Sequence, residues 1–484
     1  MNDTNRLALH SAPQATDNPL LPLYEAQRAA FLRVGPTSYE HRIEALKRLR
    51  QAVVDHHERI LDAVDADFGH RSRHETFFAD VIGLLGEIRH TRKHLKNWMR
   101  PRRAGWSPQF PLAKARIHYQ PRGIIGVIGP WNVPVLLTLS PLIGAIAAGN
   151  RALIKTSEFC PRTAEVVTSI VNQAFTPDEV AVVNGGADVA AHFSALPFDH
   201  LIFTGSTQVG RIVMRAASEN LTPVTLELGG KSPTIISADY PLDVAAARIV
   251  QGKLLNGGQA CIAPDYVFVP TGRRAELLQA LHAAVARSYP TLAGNPDLTW
   301  IVNERHFERL KAHIADARAK GAEVVEINPG GAAPREGERV LPLTVLLGVT
   351  DDMTVMQEEI FGPVLPVKTY DDLAQVIDYV NSHPRPLALY HFDENAERTA
   401  RVLDQTVSGG ACVNDVLFHV AHEGLPFGGV GPSGIGRYHG FDGFVTFSHQ
   451  KSVLYQSRWS VQSLIRPPYG PRLERVMQLA LRWL

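Results

Sequence analysis

The sequence has little of the features that mark several classes of protein. Its 484 residues include only three cysteines, Cys160, Cys261 and Cys412, whose spacing forms neither a metal-ligand set nor an even disulfide framework. We therefore expect a reducing compartment and no bound metal. The 49 basic and 48 acidic side chains leave a formal net charge of +1, which gives no electrostatic basis for binding nucleic acid.

Long apolar segments are missing too. No stretch offers the ~18 uninterrupted apolar residues that a transmembrane helix needs, and residues 1–18 lack the apolar core of a signal peptide. These absences predict a cytoplasmic protein. No Gly-x-Gly-x-x-Gly fingerprint follows a predicted strand of the first half of the chain, so a standard Rossmann phosphate loop is not expected there.

Strand-like and helix-like patterns alternate along the first half of the chain, as in a doubly wound α/β protein. At 484 residues the chain is too long for one core, so two or three domains are expected. The patterns predict strands at 123–128, 151–155, 180–183 and 200–203, and helices at 139–148, 163–174 and 187–194.

Two residues suggest covalent chemistry. Cys261 follows the small residues of Asn256-Gly257-Gly258-Gln259-Ala260, and such a turn can present a thiol to a substrate. Glu227 ends the strand-like run from Val224. Taken alone, a lone cysteine is more often a small core residue, and a glutamate in a strand more often faces solvent.

Seven motifs change that balance. In the residues of these motifs and in their order, the chain resembles the NAD(P)-dependent aldehyde dehydrogenase superfamily, from about residue 20 to about residue 455. Within it, Cys261–Tyr266, Tyr438–Phe441 and Thr446–His449 are similar to the branch of class 3, fatty aldehyde and coniferyl aldehyde dehydrogenases. The seven motifs are Gly129–Asn132, Gly144–Asn150, Phe203–Ser206, Leu226–Lys231, Gly258–Cys261, Glu359–Pro363 and Pro426–Gly429.

The resemblance implies roles for the residues that match these motifs. Cys261 is the expected nucleophile, Asn132 the side-chain donor to the oxyanion, and Glu227 the base that activates water for thioester hydrolysis. Glu359 corresponds to the glutamate that binds the nicotinamide ribose, and in the class 3 branch it can share the role of base. Trp131 and Phe361 are further expected cofactor contacts.

The remaining cofactor residues follow two predicted strands. Gly205 and Ser206 match the family's pyrophosphate-binding turn, where Ser206 can cap the next helix. Lys155 and Glu158 match positions that face the adenosine ribose. A carboxylate there accepts ribose hydrogen bonds and repels a 2′-phosphate, so the prediction is NAD, with NADP possible through Lys155.

An apolar pocket is expected to receive the substrate. Val133, Leu136, Leu417, Phe427 and His439 are the candidate lining residues, and they suit a hydrophobic aldehyde, either aromatic such as coniferyl aldehyde or aliphatic. Two alternatives stay open at this point. One is a CoA-acylating or acyl-phosphate reductase of related fold, and the other is a catalytically silent scaffold protein.

By the same resemblance the chain divides into four parts and assembles as a homodimer. Residues 1–228 form a Rossmann-like NAD-binding domain from which 110–121 project as an oligomerisation hairpin, and 229–410 form an α/β catalytic domain. Residues 411–458 return to the cofactor domain and supply an oligomerisation strand, which completes a small β oligomerisation element. Residues 459–484 carry an amphipathic helical pattern after Pro467-Pro468.

Overall fold

A computed structural model describes residues 18–460 and 466–483. It confirms an α/β protein with mostly parallel sheets. The helices are α1 (Leu21–Val34), α2 (Tyr39–Asp55), α3 (His57–Phe68), α4 (Arg73–Thr76), α5 (Gly83–Trp98), α6 (Leu136–Ala148), α7 (Pro161–Ala174), α8 (Ala187–Ser194), α9 (Thr207–Ser218), α10 (Leu242–Leu254), α11 (Arg274–Ser288), α12 (Glu304–Ala319), α13 (Thr354–Gln357), α14 (Leu373–Ser382), α15 (Ala396–Gln405), α16 (Gly440–Thr446) and α17 (Pro471–Trp483).

Three sheets are built from sixteen strands within the described ranges. The strands are β1 (Arg102–Arg103), β2 (Lys114–Pro121), β3 (Ile124–Ile128), β4 (Arg151–Lys155), β5 (Val180–Val183), β6 (His200–Thr204), β7 (Val224–Glu227), β8 (Pro233–Ile236), β9 (Tyr266–Pro270), β10 (Glu323–Ile327), β11 (Leu343–Leu347), β12 (Val364–Tyr370), β13 (Ala388–Phe392), β14 (Gly410–Val413), β15 (Gly434–Ile435) and β16 (Ser448–Tyr455).

The first large sheet has the strand order β15-β7-β6-β3-β4-β5. Its strands are parallel except for β15, which runs antiparallel to β7 and places Gly434 opposite Glu227. Strands β3, β4 and β6 are buried along their whole length, as expected for a sheet covered on both faces. This sheet carries the predicted ribose and pyrophosphate residues Lys155, Glu158, Gly205 and Ser206 at the carboxyl ends of β4 and β6, where such folds bind ligands.

The second large sheet has the order β10-β11-β12-β9-β8-β13-β14, and only β10 is antiparallel to its neighbour. The loop before β9 contains Cys261, and the loop between α13 and β12 contains Glu359. Both loops therefore approach the first sheet from the second one.

The third sheet lies in the segments expected to form the oligomerisation element. The alternating pattern over 115–120 is typical of an edge strand, but β2 is the central strand between β1 and β16. Strand β16 pairs with β2 from Ser448↔Pro121 to Tyr455↔Lys114. A partner more than three hundred residues away leaves no trace in a local pattern, so only the strand itself was predictable. Within the described residues, β1 and β16 are the two edge strands of this sheet, and β16 is the longer of them.

Local sequence signals explain some helix ends, and distant contacts explain others. Ser206 caps α9 by accepting a hydrogen bond from the Val209 N–H, as predicted. Helix α6 begins at Leu136, three residues before the predicted start, because the distant Asp80 carboxylate accepts the N–H groups of Val135 and Leu136.

The predicted amphipathic tail forms α17, whose described side chains are almost all exposed in the single chain. One of the apolar positions predicted for this helix, Leu484, lies outside the described residues. Within the described ranges, no helix has both the length and the apolar character needed to cross a bilayer.

Candidate active site

Cys261, the predicted nucleophile, follows an unusual backbone turn. Asn256, Gly257 and Gly258 have φ values of 54°, 61° and 77°, so three consecutive residues are left-handed. A Cβ on Gly258 would lie 2.6 Å from the backbone carbonyl of Gly362, and one on Gly257 would lie 2.9 Å from the Thr299 carbonyl oxygen. Glycine is therefore required both by conformation and by space at these positions.

Side-chain amides fasten this turn to the Trp131-Asn132 loop. The Asn256 amide donates to the Asn132 carbonyl over 2.8 Å, and the Asn132 amide donates to the Gln259 carbonyl over 3.1 Å. The Gln259 amide in turn donates to the Trp300 carbonyl and accepts from the Val302 N–H. Asn132, only 5% exposed, therefore lies beside the nucleophile loop, as its predicted role requires.

Two further supports of the nucleophile loop were missed by sequence reasoning. The Glu75 carboxylate accepts from the Asn256 N–H at 3.0 Å and from the Thr299 hydroxyl at 2.6 Å, and burial raises its pKa to about 7. The buried Tyr390 hydroxyl donates to the carbonyl of Ile262. Neither residue lies in a recognisable motif, and only the tertiary fold brings them to residues 256–262.

Cys261 is half-buried and close to two carboxyl groups. Burial raises the pKa of its thiol, and the charges of Glu359 and then Glu227 raise it further. The resting side chain is thus a neutral thiol that must lose its proton before it can attack. Cys160 is buried elsewhere, where its thiol donates to the Trp131 carbonyl, and Cys412 lies on β14.

Glu227 ends β7 and is only 2% exposed. Neither of its carboxylate oxygens has a hydrogen-bond partner among the described residues. Burial raises its pKa well above the ordinary value, because no nearby cation compensates the lost hydration. A carboxyl group in this state can accept a proton from water readily once it is ionised.

Glu359 is the second carboxyl group at the site. Burial, and then the charge of Asp265, raise its pKa to about 8, while Lys231 and Arg309 oppose the rise. Its Oε1 atom is buried without a partner. A Cβ on Gly229 would lie 2.1 Å from Glu359 Oε2, so glycine makes room for this carboxylate.

Charged side chains hold the backbone around Glu359. Lys231 donates to the Glu358 carbonyl over 3.0 Å, and Arg309 donates to the carbonyls of Glu359 and Ile360 over 3.1 and 2.6 Å. Asp265, paired with Lys231, accepts the Ile360 N–H over 2.9 Å. Because Asp265 follows Cys261 by only four residues, its hydrogen bond to Ile360 ties the Cys261 loop to the Glu359 loop.

Three aromatic rings pack together between the Trp131-Asn132 loop and the Glu359 loop. Trp131 lies 5.3 Å from the ring of Phe361, which has a φ of 51°, and 5.1 Å from the ring of His306. The structure therefore brings together the predicted residues Trp131 and Phe361. His306 was not predicted, and burial lowers its pKa to about 4, so it is neutral.

The predicted ribose residues lie at the end of β4. The Lys155 ammonium group, 1% exposed, donates to the carbonyls of Thr156 and Gly185 over 2.8 and 2.9 Å. Glu158 lies 3.6 Å from it and is largely open to solvent. Gly205 begins the turn after β6, where a Cβ would lie 2.5 Å from the Phe203 ring. No metal-binding cluster of His, Cys, Asp or Glu was found in the ranges 18–460 and 466–483.

The structure brings some of the candidate substrate-pocket residues together. Phe427 and His439 stack with ring centroids 5.4 Å apart, and burial lowers the pKa of His439 to about 4. Val133 and Leu136 are half-buried around the start of α6. Leu417 is buried against Gly252 of α10 and belongs to the same apolar cluster as Phe427.

The fold and the residues gathered between its two large sheets are those of an NAD(P)-dependent oxidoreductase acting on aldehydes. Residues 1–453 match the aldehyde dehydrogenase family, and the chain belongs to that family. It is 51% identical over 459 residues to a probable coniferyl aldehyde dehydrogenase of Caulobacter vibrioides, covering 94% of this chain and 95% of that protein. It is 46% identical over 477 residues to the coniferyl aldehyde dehydrogenase of a Pseudomonas species, covering 98% of each chain.

A solved structure matches this chain over nearly its whole length. The substrate-bound state of Staphylococcus aureus AldH has a TM-score of 0.90 and 38% identity, and the match covers 96% of this chain and 99% of that one. The prediction of an NAD(P)-dependent aldehyde dehydrogenase is confirmed. The CoA-acylating and scaffold alternatives are not favoured by these comparisons.

Proposed function

We propose that this aldehyde dehydrogenase oxidises a hydrophobic aromatic aldehyde such as coniferyl aldehyde, using Cys261 as nucleophile and NAD as the preferred cofactor. The observation that supports the proposal most directly is the placement of Asn132, Glu227 and Glu359 around one half-buried thiol. The coniferyl aldehyde dehydrogenases named above support the choice of substrate class.

The first chemical step is thiol addition. Cys261 loses its proton to a solvent water molecule, and its sulfur attacks the aldehyde carbon, which places negative charge on the carbonyl oxygen. The Asn132 amide and the Cys261 backbone N–H are the proposed donors to that oxyanion, and rigid donors there lower the barrier. The Asn132 amide donates at present to the Gln259 carbonyl, so one of its hydrogens remains for this role.

The residues of the cleft fit a nicotinamide dinucleotide. Glu359 offers a buried oxygen without a partner, Gly229 leaves the space for its carboxylate, and Ser206 begins a helix whose N-terminus suits a pyrophosphate. When bound, this cofactor accepts the hydride from the tetrahedral carbon. The protein's own part is to orient the carbon on Cys261 and to keep its oxygen at Asn132.

Hydrolysis of the resulting thioester completes the proposed cycle. Glu227 takes a proton from water, the water oxygen adds to the acyl carbon, and the carbon–sulfur bond then breaks with its electron pair returning to Cys261. The apolar surroundings that raise the pKa of Glu227 make it a stronger base than an exposed carboxylate. Glu359, with a pKa of about 8, is the second candidate for this step.

The preference for NAD is proposed from the state of Lys155 and Glu158. Two carbonyls and Glu158 already surround the Lys155 ammonium group, which limits its capacity to neutralise a 2′-phosphate. Glu158 is the more exposed of the two and is free to accept the ribose hydroxyls. NADP remains the alternative cofactor.

Assembly as a homodimer is also proposed, with residues 110–121 and 448–455 as the oligomerisation element. The outer edge of β16 carries no partner strand in the described chain, and Leu454 and Tyr455 there are 49% and 48% exposed. Light scattering coupled to gel filtration would test this. The four-part domain division is proposed on the two large sheets, and its boundary at residue 410 falls within β14.

An aldehyde panel tests the function itself. With NAD and no added CoA or phosphate, the purified protein should reduce the cofactor, and kcat/KM should be highest for coniferyl or another aromatic aldehyde. A requirement for CoA or phosphate would contradict the hydrolytic mechanism. A preference for long aliphatic aldehydes would contradict only the substrate class. The three free cysteines are consistent with a cytoplasmic site of action, which cell fractionation would test.

A further inference from the structure

One face of the three-stranded sheet β1-β2-β16 is basic. Side chains alternate along a strand, so Lys114 and Arg116 of β2 point to the same face of the sheet. Tyr119 points to the opposite face, where its ring lies 6.1 and 5.2 Å from the rings of Phe441 and Phe444. Because those two rings belong to α16 of the same chain, the face with the basic side chains is the outer one.

The neighbouring strands add basic side chains to the same face. Arg103 of β1 lies opposite Arg116, and Lys451 of β16 lies opposite His118. Residues directly opposite each other point to the same side of a sheet, so cations from all three strands gather there. Arg103, Lys114, Arg116 and Lys451 are named the basic face below.

The rest of the chain supplies no counter-charge to the basic face. Among the described residues, its four side chains form no ion pair with a carboxylate. The strands β1, β2 and β16 contain no aspartate or glutamate, and neither do residues 88–157 and 443–473 around them. Like charges opposite each other in a sheet lower its stability, so this arrangement becomes favourable when an anionic partner covers the face.

Protection of a sheet edge does not explain the basic face. Lysine on an edge strand discourages pairing with other chains. That reason applies to Lys451 on the edge strand β16, but Lys114 and Arg116 lie on the central strand β2. Pairing through the edge of β16, as proposed for the homodimer, uses backbone groups, so the side chains of the basic face are not needed for it.

Exposed apolar side chains flank the basic face. Trp106 and Leu112, 71% and 54% exposed, lie in the segment that joins β1 to β2, and Trp459, 74% exposed, follows β16. Basic side chains are attracted to the phosphate groups of anionic lipids, and tryptophan and leucine partition into the lipid interface. A leucine gains little from the sugar-phosphate backbone of a nucleic acid, so the combination favours a lipid surface.

We propose that the basic face, flanked by Trp106, Leu112 and Trp459, docks this enzyme on the surface of a bilayer that contains anionic phospholipids. The four cations orient the sheet towards the phosphate layer, and the three apolar side chains enter the interface without crossing it. Hydrophobic aldehydes concentrate in the same bilayer, so docking brings the enzyme to the proposed class of substrate. The docking itself depends neither on the identity of the aldehyde nor on the assignment of the base.

Co-sedimentation with vesicles tests the docking with the full-length enzyme. Wild type should bind vesicles of phosphatidylglycerol and phosphatidylcholine at low ionic strength, bind pure phosphatidylcholine at least about tenfold more weakly, and be released by high salt. Each basic side chain near an anionic surface contributes about fivefold to binding. The basic-face variant, which combines Arg103→Gln, Lys114→Gln, Arg116→Gln and Lys451→Gln, should therefore bind more than about a hundredfold more weakly than wild type.

The matched control removes the same charge from other surfaces. It combines Lys47→Gln, Lys311→Gln, Arg318→Gln and Arg335→Gln, whose side chains are 50%, 50%, 60% and 76% exposed. This variant should bind anionic vesicles within about threefold of wild type, because none of its changes lies on the sheet. Both variants should keep the wild-type Tm, gel-filtration volume and rate with benzaldehyde, which shows that they fold.

Four results would overturn the proposal. The first is that wild type fails to sediment with anionic vesicles at low ionic strength. The second is that the basic-face variant binds as well as wild type, or that deletion of residues 470–484 abolishes binding, since either assigns the contact to another segment. The third is binding to mixed-sequence DNA or RNA, measured by fluorescence anisotropy, without binding to vesicles. The fourth is a changed oligomeric state of the basic-face variant alone, which would assign the face to assembly.

Discussion

Replacing Glu227, the proposed base, is the most informative perturbation of this site. In Glu227→Gln the side chain keeps its size, and because neither carboxylate oxygen has a hydrogen-bond partner, the substitution breaks no contact of the folded protein. General-base catalysis contributes about 10²- to 10⁴-fold, so the barrier to hydrolysis should rise by about 3–5 kcal/mol. Acylation of Cys261 should be little affected.

Stopped-flow absorbance should show one equivalent of reduced nicotinamide followed by a stalled phase. Mass spectrometry of the quenched protein should find the acyl group on Cys261. Glu219→Gln, at the exposed end of α9, is the control and should turn over like wild type. A steady-state rate unchanged in Glu227→Gln would refute the reasoning and move the base to Glu359.

The same variant also predicts the direction in which stability changes with pH. Because burial raises the pKa of Glu227 in the folded protein, the folded state holds a proton that the unfolded state has already lost above the ordinary pKa. Stability contributed by this group is therefore present at low pH and lost as pH rises through the folded pKa. Glu227→Gln should raise the Tm relative to wild type more at alkaline than at acidic pH.

Four other outcomes are expected. Cys261→Ala should lower turnover more than a thousandfold and leave NAD binding intact by fluorescence titration, and turnover within tenfold of wild type would exclude Cys261 as nucleophile. Glu158→Ala should narrow the ratio of kcat/KM for NAD over NADP about tenfold, by removing a ribose acceptor and a repulsive charge. Since the thiol of Cys261 has a raised pKa, kcat/KM should climb as pH rises above neutral, and a flat profile would contradict this. If α17 covers the entrance of the substrate pocket on a partner subunit, deleting residues 470–484 should change KM for bulky aldehydes more than for small ones. Unchanged kinetics together with binding of the wild type to liposomes that the deletion abolishes would instead favour a membrane-surface role for α17.

Local patterns predicted the first sheet well. The strand over Arg151–Lys155, the helix over Ala187–Ser194 and the cap at Ser206 are as expected, because burial and capping in such units depend on neighbouring residues. The roles of Cys261, Glu227, Asn132 and Glu359 came from the resemblance to a family and stay predictions for this chain, although the structure brings the four residues together.

Other parts of the site could not be predicted because they depend on tertiary contacts. Glu75 supports the nucleophile turn from a distance of 181 residues along the chain, and Asp80 sets the start of α6 from 55 residues away. Tyr438 belongs to a quoted motif, but its pair of backbone hydrogen bonds with Phe427 depends on the tertiary fold. No periodicity in the sequence carries that information.

The pairing of β16 with β2 also bears on how the chain is made. Residues 114–121 must wait until 448–455 have been synthesised before their sheet can close, and β7 similarly waits for β15. During translation β2 therefore lacks its main neighbour, so the nascent chain exposes unpaired backbone for most of its synthesis. Such a high separation between partners favours slow folding and a dependence on chaperones, and a chain cut before residue 448 should aggregate where one cut after 460 does not.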